Sequence, residues 1–169
     1  MAAGATYEPI ATTTVAVAAA SLTFSSIPST YTDLRIVLTA TSVAGGNPDV
    51  YMRFNGDSGT NYSNTLLGGN GTSATTGGYT STAVAYIDTT GISTTNPHVY
   101  SVDVFSYAGS TYKTALTRVA EDNNGSGSIN NFVFLWRSTA AITSVSFLLS
   151  TTGMFAIGTT ATLYGIKAA

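Results

Sequence analysis

The chain contains no cysteine, so neither disulfides nor thiolate metal sites contribute to it, and its stability has to come from packing or assembly. Charge is nearly as scarce: charged residues make up 8% of the 169 residues, against roughly a quarter in ordinary globular domains. The six basic residues, Arg35, Arg53, Lys113, Arg118, Arg137 and Lys167, are scattered, and the formal net charge is −2. They form no counterion-releasing patch, which excludes nucleic acid as a partner and, on the same ground, an anionic membrane surface. No apolar run approaches the roughly 20 residues of a membrane-spanning helix. The small-residue run at 15–20 has the look of a signal-peptide cleavage site, but no Lys or Arg precedes Arg35, and Glu8 and Pro9 stand where a basic segment belongs. Export by a signal peptide is therefore not expected. Helical periodicity is also missing: apolar residues at i, i+3 and i+4 are interrupted everywhere by Gly, Pro or Thr clusters.

What is present is strand chemistry. The hydrophobic share, 44%, is ordinary, and 30 threonines and 19 serines take over from charge in keeping the surface wet. Threonine also favours strands. In residues 50–55, Val50, Met52 and Phe54 alternate with Tyr51, Arg53 and Asn55, the period of a strand with one buried face. Asn55-Gly56 and Ser58-Gly59 then supply a reversal. Leu34, Ile36 and Leu38 point one way, Arg35, Val37 and Thr39 the other. Further strand patterns occupy 22–24, 83–87, 99–107, 112–119, 129–136, 142–149 and 160–166, with Ala108-Gly109-Ser110 as a hairpin signal between two of them. Residues 68–82 are low in complexity and read as a loop, too poor in apolar surface to offset their ordering entropy. Glu121 and Asp122 open a second exposed loop. Residues 1–20, in which Tyr7, Glu8, Pro9 and Ile10 are the only bulky cluster, read either as an extended arm or as an edge strand of the same domain. Eight or more short strands in a chain of this length make one β-sandwich or barrel, with about 70% of the unfolded surface buried.

Few residues invite chemistry. His98 has no nucleophilic elbow nearby and reads as a plain histidine at the solvent edge of a strand. Glu121 and Asp122 have no apolar pocket behind them, as paired carboxylates for glycoside cleavage would require. Asp57-x-Gly59-x-Asn61 places oxygen donors at alternate positions, but the run is much shorter than a calcium loop, and these residues are the usual ones of turns. Gly68-Gly69-Asn70-Gly71 lacks the Lys-Ser/Thr of a phosphate cradle. The ten tyrosines and Trp136 suit either a sugar-stacking platform or the core and interface contacts of a sandwich. No catalysis, cofactor or metal is expected. Arg35 and Arg53 are expected to pair with Asp33, Asp49 or Asp57 at a sheet rim.

Four segments carry a family resemblance: Phe24-Ser25-Ser26-Ile27-Pro28-Ser29-Thr30-Tyr31-Thr32-Asp33-Leu34-Arg35, Arg53-Phe54-Asn55-Gly56-Asp57-Ser58-Gly59-Thr60-Asn61-Tyr62-Ser63, Tyr112-Lys113-Thr114, and Leu163-Tyr164-Gly165-Ile166-Lys167. From about residue 20 to the end the chain resembles virion proteins of tailed bacteriophages, among them capsid cement or decoration proteins and domains of head and tail fibres. The resemblance implies a jelly-roll-like antiparallel β-sandwich (21–169) behind an extended N-terminal arm (1–20). It also implies a homotrimer, but it does not choose among those virion roles. A short free-standing chain suits a cement protein better than a fibre, whose domains normally follow a long shaft, and a cement protein is expected on the outer capsid surface of the virion with the major capsid protein as partner. The arm, through Tyr7, Glu8, Pro9 and Ile10, is expected to reach a neighbouring subunit by strand addition or by lying in a groove. The alternative is a tail or fibre-tip module that binds a host-surface glycan.

Overall fold

A computed structural model describes residues 6–43, 46–150 and 152–167. Among the described residues there are twelve strands and no helix: β1 Tyr7–Thr14, β2 Ser21–Phe24, β3 Asp33–Ala40, β4 Val50–Phe54, β5 Tyr62–Gly69, β6 Ala74–Thr82, β7 Ala85–Asp88, β8 His98–Val104, β9 Lys113–Glu121, β10 Ser128–Trp136, β11 Val145–Leu149 and β12 Thr160–Ile166. All pairings are antiparallel. They form a wide sheet ordered β1-β12-β3-β8-β9-β10-β5-β6 and a narrow one ordered β2-β11-β4-β7. The protein is a β-sandwich.

Alternation explains why the two sheets meet. On β3, Leu34, Ile36, Leu38 and Ala40 are buried, and Val50, Met52 and Phe54 of β4 are wholly buried opposite them. β11 repeats the pattern with Val145, Phe147 and Leu149. Tyr100, Val102, Phe134, Trp136 and Leu163 complete the inner face of the wide sheet. Trp136 stacks on Tyr62 and meets Phe54 edge-on, so the aromatic residues at this end are core.

Segments rich in turn residues differ most from expectation. Residues 68–82 are not a loop: β5 runs to Gly69, β6 begins at Ala74, and only Asn70–Ser73 turn, the Asn70 side chain accepting from the N–H groups of Thr72 and Ser73. The order here comes from the ladder with β5, which local composition does not reveal. β8 stops at Val104, and Tyr107 enters the core from the turn, its hydroxyl donating to the Pro28 carbonyl. The hairpin through Ala108-Gly109-Ser110 does join β8 to β9. Of the two alternatives for the N-terminal segment, Tyr7–Thr14 adopt the edge strand, paired to β12 from Tyr7↔Ile166 to Thr14↔Thr160. Residues 1–5 of the expected arm lie outside the described residues.

Candidate functional site

The narrow sheet covers the inner face of the wide one, so what the wide sheet offers is its outer face. Alternation puts Val37, Val99, Val133, Ile129 and Leu67 there, and each is 38–58% exposed. Register gathers them. Val133 lies between Leu116 and Thr65, Ile129 and Val99 both flank Ala120, and Leu67 neighbours Asn131. Towards β1 the face becomes hydroxylic, with Thr14, Thr160 and Thr39 in one row and the hydroxyls of Thr12 and Thr162 3.1 Å apart in the next.

Charge on this face is mostly neutralised. Arg35 donates to both carboxylate oxygens of Asp103, through Nε at 2.6 Å and Nη2 at 2.8 Å, and the pairing raises its pKa. Asp103 is thus the partner of Arg35, in place of the expected Asp33, Asp49 or Asp57, because β3 and β8 are neighbours and Arg35↔Asp103 is a register pair. Arg53, for its part, donates to the Ala83 carbonyl. The sequence holds both residues of the ion pair, but their 68-residue separation conceals that they meet.

The N-terminal cluster borders the same face. Tyr7 is 49% exposed with the Arg35 guanidinium 5.7 Å from its ring centre, and Pro9 is exposed beside Tyr164. Glu8 and Ile10 are occupied by the domain itself. Glu8 accepts from Lys167 Nζ at 2.5 Å and from the Tyr31 hydroxyl at 3.2 Å, and the Lys167 contact holds its carboxyl below the usual range. Ile10 packs against the core. Tyr7 and Pro9 are therefore the two members of the cluster that face outward.

His98 is not at a solvent edge. It is wholly buried at the end of the sandwich where β7 meets the wide sheet. Its Nδ1 lies 3.0 Å from Asp88 Oδ2 and its Nε2 2.6 Å from Glu121 Oε2. Burial opposes charge on the ring, but the hydrogen bond and field of Asp88, followed by Glu121, outweigh it and raise the pKa. Asp88 is completed by the backbone N–H and hydroxyl of Thr90 and by the Tyr100 hydroxyl at 2.8 Å; burial pushes its pKa up, and these donors with His98 bring it below the ordinary value. Glu121 is the last residue of β9 rather than part of a loop, and it pairs here without Asp122, which instead accepts from Gly125 N–H. The missed signal lies in the alternation: His98 and Tyr100 both precede Val102 at a spacing of two, on the buried face. With both ring nitrogens engaged by carboxylates, the cluster clamps β7 to β8 and β9. Among the described residues no group of three or more His, Asp or Glu side chains is arranged to hold a metal ion.

The Asp57 turn is likewise closed on itself. Oδ1 accepts from Gly59 N–H, while Oδ2 accepts from Asn61 Nδ2 at 2.9 Å and from the Trp136 indole N–H at 2.6 Å. The donors that alternate in sequence point at one carboxylate and not at a common ion. Gly68 and Gly69 are β5 residues, and Gly71 sits in the β5–β6 turn with φ +83°. Among the aromatics, Tyr79 of β6 stacks on Tyr86 at 4.3 Å, and Tyr86 meets Tyr51 edge-on at 4.9 Å. Near this column is an open depression of about 370 Å³ between β5, β6 and β10, walled by Ser63, Thr65, Thr80 and Thr114 over Val133 and Leu135.

No protein-family model, curated protein or solved structure matches the chain.

Proposed function

We propose that the chain is a structural protein of a tailed-phage particle: a decoration subunit that binds the outer capsid surface and holds neighbouring major capsid subunits together. The observation that supports this best is the outer face of the wide sheet, where five exposed aliphatic side chains share an eight-stranded surface with hydroxyls and a self-neutralised ion pair. Single exposed aliphatics are ordinary, but a group of them on one sheet face rimmed by polar residues marks an interaction surface. Its contacts with a capsid lattice depend little on salt, since the face carries few charges: the Arg35–Asp103 pair, Asp33 at the start of β3, which accepts from the Ser106 N–H, Arg118, and the Glu8–Lys167 pair at the border. Tyr7 and Pro9 extend the contact at the β1 end. The mechanism is mechanical and additive. Each copy buries surface on two or more capsid subunits, so separating those subunits also breaks its contacts.

The test is substitution on this face. Val99→Glu and Val133→Glu are expected to weaken binding to capsids at least about tenfold, with an unfolding free energy lower by about 1 kcal/mol at most, because both side chains are on the solvent-facing side of their strands and lose mainly strand propensity. Full capsid binding by both variants would remove this face from the account.

A second reading, a tail or fibre-tip module that binds a host-surface glycan, is favoured by the depression between β5, β6 and β10. Hydroxyls on its walls and the exposed Tyr79 ring nearby are groups that sugars use. Saturable glycan binding lost in Tyr79→Ala, without capsid binding, would put that reading first.

A further inference from the structure

We propose that two copies of this chain associate through β6, pairing the strands antiparallel about a two-fold axis and joining the two wide sheets into one. Among the described residues the sandwich has four edge strands, and three of them are protected. β2 and β7 have four residues each. β1 carries Pro9, the charged Glu8 and a bulge between Pro9 and Ala11. These are the usual means of blunting an edge. β6, ATTGGYTST, has nine residues with no charge and no proline, and its first eight residues are exposed. Its irregularity is confined to the far end, opposite Tyr62 and Asn64, which leaves six consecutive regular pairs from Ala74↔Gly69 to Tyr79↔Asn64.

The hairpin fixes which backbone groups are open. The Asn70 N–H donates to the Ser73 carbonyl, so this pair is a hydrogen-bonded one. Along an antiparallel ladder such pairs alternate with non-bonded ones. Thr75 and Gly77 therefore bond to β5, while Ala74, Thr76 and Gly78 turn their N–H and C=O groups to the free side. A second copy offers the same three residues. With the axis at Thr76, Ala74 meets Gly78, Gly78 meets Ala74, and Thr76 meets its own mate, a pairing in which two hydroxyls can bond across the strands. Charge selects this occupant. The strand has no charged residue to repel its copy or to prefer a charged peptide, and an isologous contact needs no second complementary surface. The paired strip is small, which makes the dimer a weak one that high local concentration on a surface would favour.

Sedimentation equilibrium of the full chain from micromolar to millimolar concentration, with hydrogen exchange at both extremes, tests the pairing. The apparent mass is expected to rise from monomer towards twice that value, and the amides of Ala74, Thr76 and Gly78 to slow with it. T76P removes an N–H that β5 does not use, and T76K sets two cations against each other across the axis. Both are expected to keep the wild-type circular dichroism and to stay monomeric; with two different substitutions, loss of fold in one leaves the other to decide. A wild-type chain that stays monomeric overturns the proposal. So does a trimer, a dimer that both variants keep, or one whose β6 amides exchange at the monomer rate. Capture of β6 by a strand of another protein, with the purified chain monomeric, overturns it as well.

Discussion

His98→Gln removes the imidazole between Asp88 and Glu121 and leaves a buried carboxylate without its partner. Losing one member of a buried ion pair costs about 3–5 kcal/mol, to be read as a lower urea midpoint with an unchanged slope. The pH dependence separates this ionic role from simple packing. Because the folded state raises the His98 pKa, its contribution is complete below the ordinary value of 6.5 and is lost as pH rises through the raised one. Asp88, lowered from 3.8, contributes fully above that value and is lost as pH falls through the lowered one. Asp88 from β7, Glu121 from β9 and Tyr100 from β8 face the ring or its partner, and Asp49, just before β4, acts on Asp88 through its charge. The melting temperature should therefore be highest between about pH 4 and 6.5, and its alkaline decline should flatten in His98→Gln. An alkaline decline of the same size in the variant would show that the ring carries no charge. Lys113 is buried as well, its ammonium donating to the Gly109 and Thr111 carbonyls at 2.7 and 2.5 Å within the β8–β9 hairpin, and burial lowers its pKa.

At the scale of elements, β12 shows how closely strand and loop are fitted. Gly165 lies under the Tyr31 ring, and a Cβ there would run into that ring. Gly165→Ala is expected to cost about 1–3 kcal/mol, as overpacking does. Combined with Tyr31→Ala, which empties the space, the glycine substitution should cost less than half as much; a fully additive pair would contradict the contact. Legibility in the sequence follows from where the ordering information sits. In β3, β4 and β12 each strand carries its own alternation, and residues 50–55 show it outright. β6 has no apolar face, and its strand state is imposed by β5, so its composition alone points to a loop. The His98 cluster draws Asp88, His98 and Glu121 from three strands and the Arg35 pair draws on β3 and β8; such partners are fixed by sheet order, which no local pattern contains. Residues 57–61 are the converse case: the sequence reads them as turn residues, and their side chains and backbone close on the Asp57 carboxylate, although its bond from the Trp136 indole has no local signal.

Over the whole molecule, an 8-stranded sheet backed by a 4-stranded one leaves a broad outer face with little charge, bordered by Tyr7 and Pro9 at β1 and by the open edge of β6 at the other end. A subunit built this way can contact neighbours through the face and its own copies through the edge, two contacts that separate variants can remove. The claim that this surface serves a capsid is tested most directly by adding the purified protein to tailed-phage capsids that lack it and imaging the particles by electron microscopy with averaging. The proposed function predicts regular density at repeated lattice positions, with the wide sheet turned towards the capsid and the density lost with Val99→Glu. Bare capsids, with the protein found at the tail of intact virions, would contradict it and move glycan binding to the front.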